Sequence, residues 1–247
     1  MPINIYPSWL KFFWRRIVLE VRRANQNTKA GQLKFLSSIG LNPKTVIDVG
    51  VHNEGTPELY ATFSDANFIL IEPAKEFVDD ILDFCKRIKN AELIQAAASN
   101  RSGISKIWIQ RTRYVHAGLV GPHEETVGEG EFQEVKMITL DELWKEKKMS
   151  APFLIKIDVD GKDLEVLQGS CEILNETDCV IVEATTKDIS ATINFMETHG
   201  FFLWSHADNL YKENVLWQQD LIFLNSNYRN RPEFKPRTTW TGCAISN

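Results

Sequence analysis

From Thr45 onward the chain alternates two hydrophobic textures. Short runs rich in Val and Ile are followed by stretches whose apolar residues recur every three or four positions. TVIDVG (Thr45 to Gly50) predicts a buried strand running into a turn, and Pro57 to Phe63 a short helix with proline at its tolerated start. FILIEP (Phe68 to Pro73) predicts a second strand. Ala74 to Ile88 predicts a helix with Phe77, Ile81 and Phe84 on one face. AELIQAAA (Ala91 to Ala98) predicts a third strand. Period-two alternation in SKIWIQ (Ser105 to Gln110) marks a half-buried strand, and EVKMI (Glu134 to Ile138) another. Thr139 is placed to cap the helix DELWKEKK. Arg111 to Glu131, with four glycines, Pro122 and two histidines, reads as a mobile loop.

The second half repeats the rhythm. FLIKIDVDG (Phe153 to Gly161) is a strand, Lys162 to Leu174 a helix and CVIVEA (Cys179 to Ala184) a strand. A helix capped by Ser190 runs to His199 and stops at Gly200. FFLWS (Phe201 to Ser205) and DLIFLN (Asp220 to Asn225) are strands joined by a long hairpin-like connection, and the rest is tail. Such alternation predicts an α/β fold with a mostly parallel sheet covered on both faces. The closing pair of strands adds one antiparallel strand near the edge, giving a seven-stranded, Rossmann-like sheet. The implied organisation is an N-terminal extension over 1–40, one domain over 41–228 and a tail over 229–247.

The extension has its own pattern. In WLKFFWRRIVLEVRRA (Trp9 to Ala24), Trp9, Phe13, Ile17 and Val21 recur every four residues among basic ones. This predicts a basic amphipathic helix whose stripe packs on the domain, pairs two copies, or lies on an anionic membrane. Met1 to Ala30 holds six Lys or Arg against one acid, a net of +5, so the rest carries −10 of the total −5. An acidic domain argues against general nucleic-acid binding. The four cysteines (Cys85, Cys171, Cys179 and Cys243) lack zinc-ligand spacing, and the first three sit in apolar segments as small core residues. With no signal-like segment and no run of apolar residues long enough to span a bilayer, the expected address is cytoplasmic, or peripheral at the inner face of a membrane.

Candidate chemistry sits at strand ends, where open parallel sheets bind ligands. Asp48 closes the first strand, before Gly50. Glu72 closes the second, 24 residues later, where an acid can accept hydrogen bonds from both ribose hydroxyls of an adenosine ligand. A dinucleotide site needs a tight glycine-rich turn, whereas this chain reads Gly50-Val-His-Asn-Glu-Gly55. Glu54 repels phosphate but tolerates a ligand with ammonium and sulfonium groups, which favours S-adenosylmethionine over NAD. Lys156, Asp158 and Asp160 alternate at the end of another strand. They face the same cleft, or form a lysine–carboxylate pair that merely closes the sheet.

The phrase KIDVDGKDLEVLQGS (Lys156 to Ser170) resembles the signature of the FkbM family of methyltransferases. TVIDVG with GTPELY, FILIEP, AAASNRSGISKIWI and the late QDLIFLN follow that family's order over roughly residues 45–226. The resemblance implies a class I methyltransferase fold, S-adenosylmethionine as donor and O-methylation of sugar or polyketide hydroxyls. It implies that Asp48 and Gly50, with Val49, hold the methionine part of the donor. Glu72, beside Pro73, would hold the ribose; Gln95, Ala96 and Ala97 would border the adenine; Asp158 would lie near the methyl group. His52-Asn53-Glu54 replaces the family's smaller, often glycine-containing donor turn with one extra residue. Asp160 and Asp163 stand where the family more often has Glu or Gln, and Glu.

Methylation of a hydroxyl needs a base, for which Asp158, then Asp160, then His116 are the candidates. A magnesium ion held by the two aspartates and Glu183 is a less favoured variant. The leading expectation is an O-methyltransferase acting on a glycan or small metabolite. The alternatives are a nitrogen or protein acceptor, or a non-catalytic scaffold of the same fold. The acceptor pocket is expected between Arg111–Glu131 and Ser205–Gln219.

Overall fold

The structure, a computed structural model, describes residues 28–53, 55–111, 115–119 and 129–230, without the side chains of 111, 115–118, 229 and 230. The predicted helix at Trp9–Ala24, Glu54, the side chain of His116, Cys243 and the tail beyond residue 230 lie outside the described residues.

Helix α1 (Lys29–Ser38) opens at Thr28, whose hydroxyl accepts from Gly31 N at 3.1 Å. Strand β1 (Thr45–Val49) leads to α2 (Pro57–Thr62), β2 (Asn67–Ile71), a 3-10 turn at Lys75–Phe77, α3 (Val78–Cys85) and β3 (Ala91–Ile94). Next come β4 (Ala97–Ala98), β5 (Gly103–Arg111), β6 (Val115–Leu119) and β7 (Gly130–Ile138). Then follow α4 (Leu140–Lys147), capped by Thr139, β8 (Phe153–Ile157), α5 (Asp163–Gln168), β9 (Thr177–Thr185), α6 (Ile189–Thr198), β10 (Phe201–Lys212) and β11 (Val215–Asn225).

The main sheet has the order β10-β11-β9-β8-β1-β2-β3. β11 runs against both neighbours, while the other pairings are parallel. This is the expected seven-stranded sheet with one reversed strand. Alternate residues of the central strands serve two cores. Val46, Phe68, Leu70, Leu154 and Ile181 pack with Leu33 and Leu36 of α1, Leu59 of α2 and Ile81 of α3. Ile47, Ile71, Ile155, Ile157 and Val182 pack with Leu143 of α4, Val166 and Leu167 of α5 and Met196 of α6. Thus α1, which the sequence pattern left in the extension, is part of the core.

Several elements differ from the pattern. AELIQAAA breaks at Gln95–Ala96, and its last residues join a second sheet of order β4-β7-β5-β6 that the pattern did not reveal. The expected loop Arg111–Glu131 contains β6, which pairs with β5 from Ile107↔Leu119 to Arg111↔Val115. Ser205–Gln219 is not a loop. β10 and β11 extend through it to a two-residue turn at Glu213-Asn214, with φ of 52° and 64°. Such paired positive φ values match the twist of a tight hairpin. The hairpin itself is as expected, but its strands are longer than the pattern indicates, because their outer halves are solvated and hydrophobic alternation is lost there. The helix expected from Lys162 to Leu174 ends at Gln168, and Asp188, not Ser190, precedes α6. Cys171 is exposed rather than core, whereas Cys179 is fully buried.

Gly169 ends α5 where a Cβ would lie 2.1 Å from the Ser99 carbonyl oxygen. Gly169→Ala is therefore expected to destabilise the fold by about 1–3 kcal/mol, the usual cost of forced overpacking, measured by urea unfolding.

Candidate active site

The carboxyl ends of β1, β2 and β8 meet around a cavity of about 230 Å3. The hollow is open space, not filled by side chains. Gly50 turns the chain out of β1 with φ +81°, and a Cβ there would sit 1.7 Å from the carbonyl oxygen of Asp158. Glycine is thus required both by the left-handed backbone and by contact with the end of β8. His52 follows, also at positive φ, with its ring centroid 3.9 Å from that of Phe77.

Glu72 is the most tightly defined acid on the cavity wall. Its Oε2 accepts from His52 N at 2.9 Å and its Oε1 from Ala74 N at 3.0 Å. Burial pushes its carboxyl above the ordinary range, against the pull of those two N–H groups. A carboxylate has about four acceptor sites, so two backbone bonds fix its orientation and leave capacity for a ligand. Beside it run Pro73 and the slot Ala96, Ala97 and Ala98, closed by Ile107 and Leu119 from the second sheet. That sheet is fastened to the β2 exit: Gln133 Nε2 donates to Pro73 O at 3.2 Å, and Lys75 Nζ lies 3.8 Å from Glu131.

The β8 end supplies Asp158, Val159, Asp160 and Lys162 to the wall. Lys156 Nζ, on a residue 3% exposed, donates to Asp158 Oδ2 at 2.6 Å. Burial alone would lower the lysine pKa, but Asp158, Asp48 and Asp220 more than reverse it. The lysine–carboxylate pair is therefore real, and it lies at the cavity. Asp163 closes the following turn by accepting from Val159 N and Gly161 N, both at 3.1 Å. Burial raises it to about 6.

Three residues expected at the donor stand elsewhere. Asp48 is fully buried and absent from the wall. Its Oδ2 accepts from Thr56 N at 3.0 Å and from the Tyr60 hydroxyl, so it anchors the start of α2. Asn53 points its Oδ1 at His52 Nδ1, 2.9 Å away, outside the cavity. Gln95 is exposed at the break between sheets. Val49, Gly50, His52, Glu72, Pro73, Ala96, Ala97, Asp158 and Asp160 do meet there. Sequence reasoning missed Phe77, counted as helix core, together with Ala98, Ile107, Leu119 and Lys162. The pattern marks strands in SKIWIQ and EVKMI, but it shows neither β6, which brings Leu119, nor the pairing of these strands into a second sheet. Among the described residues no group of three His, Cys, Asp or Glu is arranged to hold a metal ion.

The Methyltransferase FkbM domain profile matches residues 48–203, more than half of the chain. The chain belongs to the FkbM methyltransferase family. It is accordingly an S-adenosylmethionine-dependent methyltransferase, and its strand order is that of the class I fold. No curated protein sequence matches it. Similar solved structures include the precorrin-6y C5,15-methyltransferase of Geobacter metallireducens GS-15, at 13% identity and a TM-score of 0.42, covering 83% of this chain and 88% of that one. An rRNA methylase of Streptococcus thermophilus gives 11%, 0.45, 78% and 93%. TYW2 of M. jannaschii, in complex with AdoMet, gives 13%, 0.43, 80% and 74%.

Glu183, next to Asp220 across β9 and β11, accepts from Gln218 Nε2. Burial and the neighbouring Asp158 and Asp163 push its carboxyl up to about 8. An acid raised in the fold keeps its proton after the unfolded chain has lost it. Stability is then full below pH about 4.5 and falls as pH rises through the folded value. The melting temperature is expected to decline between about pH 5 and 8. Glu183→Gln should flatten the upper part of that decline in a calorimetric pH series, leaving the lower part to Asp163.

Proposed function

We propose that the family's donor lies in the cavity with its ribose on Glu72, and that its methyl group passes to a hydroxyl oxygen of a glycan or related metabolite. The observation that carries this reading is the Glu72 carboxylate, oriented by two backbone N–H groups on the wall of an open hollow. The residues suit the donor: an acid for a ribose diol, small apolar side chains at Ala96–Ala98 for a flat purine, and a glycine turn for the amino-acid part. When bound, the donor supplies an electrophilic methyl on sulfonium. The chain's own task is alignment, which in well-oriented systems contributes about 7–11 kcal/mol.

Asp158 bridges the buried Lys156 and the cavity, so it is the carboxylate best placed to receive the hydrogen of an acceptor hydroxyl. Asp160, exposed on the same wall, is the second candidate. His116 lies in β6, whose Leu119 reaches the wall, and remains the third. The oxygen acceptor is favoured because a carboxylate, Asp158, stands on the cavity wall where it can take the proton that a hydroxyl loses. A nitrogen or protein acceptor is the competing reading.

Glu72→Gln can keep one backbone bond but loses an acceptor. It should weaken S-adenosylhomocysteine binding by about 10- to 100-fold in calorimetry, as expected for hydrogen bonds to a charged group, and lower the melting temperature modestly because one backbone N–H loses its acceptor. Unchanged affinity would overturn the donor assignment. For the acceptor, label from methyl-tritiated S-adenosylmethionine is followed into a saccharide panel. O-methylation predicts an alkali-stable ether, and Asp158→Asn should slow its formation by about 10²- to 10⁴-fold. Label recovered on nitrogen or on protein would replace the hydroxyl reading.

A further inference from the structure

The β10–β11 hairpin reaches past its neighbour. β9 ends at Thr185, opposite Gln218, so residues 208–217 project beyond the sheet. They project at the carboxyl ends of the parallel strands, the edge on which the cavity opens. Four large apolar side chains stand out from this tip, Leu210 (50% exposed) and Tyr211 (63%) on one face and Val215 (67%) and Trp217 (49%) on the other. A soluble surface scatters such residues singly, and four on one turn call for an occupant.

The base of the hairpin is held by the start of α1. Lys29, the first residue of α1, pairs with Asp208 at 3.1 Å and with Asp220 at 2.6 Å, and Gln32 Nε2 donates to His206 O at 2.8 Å. Lys29, next to the first described residue, therefore stands at the base of the hairpin. The sequence before it, WLKFFWRRIVLEVRRA over Trp9–Ala24, is rich in aromatic and basic residues. Of the hairpin's own acids near the tip, Asp208 pairs with Lys29, and Glu213 follows Lys212 directly in the sequence.

We propose that the hairpin tip is a membrane-docking element that inserts Leu210, Tyr211, Val215 and Trp217 into the interfacial layer of an anionic bilayer. Tyr and Trp favour that layer, and basic residues next to buried apolar ones strengthen binding to anionic lipid. A second copy is a poorer occupant. Four side chains on a narrow turn offer a few hundred Å2, short of the ~800 Å2 per partner of a stable interface. Docking this way would hold the cavity edge at the bilayer surface, within reach of an acceptor carried on a lipid. The inference does not depend on the donor or acceptor assignment, because it concerns lipid binding alone.

The test is co-sedimentation of the full chain with vesicles of phosphatidylcholine and phosphatidylglycerol in equal parts, and with phosphatidylcholine alone. The chain should pellet with the mixed vesicles. Joint replacement Leu210→Ser, Tyr211→Ser, Val215→Ser and Trp217→Ser should weaken that binding by about tenfold or more, since each apolar group left in water forfeits its transfer free energy. Brominated lipids should quench the native chain's fluorescence more than that of Trp217→Phe, a readout independent of how the multiple variant folds. A chain that stays in solution with both vesicles, a Trp217→Phe variant quenched as fully as the native chain, or a folded quadruple variant that binds unchanged would each overturn the proposal. Vesicle-free self-association abolished by the same substitutions would assign the tip to a second copy instead.

Discussion

A single ammonium group organises the carboxyl edge of this sheet. Lys156 Nζ sits on β8 almost out of contact with water, where an uncompensated charge costs several kcal/mol. Its compensation comes from elements far apart in the chain. Asp158 lies two residues along, Asp48 is its partner across β1, and Asp220 on β11 adds a more distant negative charge. Asp220 is in turn paired with Lys29 at the head of α1. Charges from α1, β1, β8 and β11 thus alternate in sign across one face of the sheet. Breaking such an arrangement at one member strands the others, which is more costly than the net worth of any single pair. The same arrangement sets Asp158 at the cavity wall.

The donor side is built differently, from backbone. Glu72 is oriented by the N–H groups of His52 and Ala74, and those residues lie in the two turns that follow β1 and β2. Asp48 works from below, securing the start of α2 through Thr56 and Tyr60 so that the turn from Gly50 to Gly55 begins and ends at fixed points. The residue that resembles a ligand-binding acid by position is here a structural one. The turn it stabilises is what reaches the ligand space.

Much of this was legible in the sequence, for definable reasons. Buried parallel strands are continuous apolar runs, so β1, β2, β8 and β9 stood out, and acids at their ends could be placed in one region. Side-chain direction could not be read. Asp48 and Asp158 each stand at a strand end, yet one turns to α2 and the other toward the cavity. Burial alternates only where a strand has one wet face in a regular sheet, so β6 and the outer hairpin, with glycine-rich or solvated residues, left no period to detect. The break at Gln95–Ala96 was hidden because AELIQAAA is uniformly compatible with one strand, and only tertiary pairing with Met137 and Ile138 divides it. Phe77 reads as a helix-core residue by spacing and is buried, but the 3-10 turn before α3 swings it against His52.

Methyl transfer from a sulfonium asks for distances more than for reactive side chains, and the structure controls distance through glycine. At Gly50 the backbone after β1 comes so close to the Asp158 carbonyl that no side chain fits between them. The amide of Asp158 also donates to Val49 O at 3.0 Å, and that of Gly50 to Ile71 O at 2.9 Å. Three strand ends are therefore laced together by main-chain bonds at the point where the cavity opens. The wall that carries Glu72 and the wall that carries Asp158 cannot drift apart without breaking those bonds. In the proposed reading, a donor oriented by the first would be held at a fixed spacing from an acceptor received by the second, which is the preorganisation that an in-line displacement rewards.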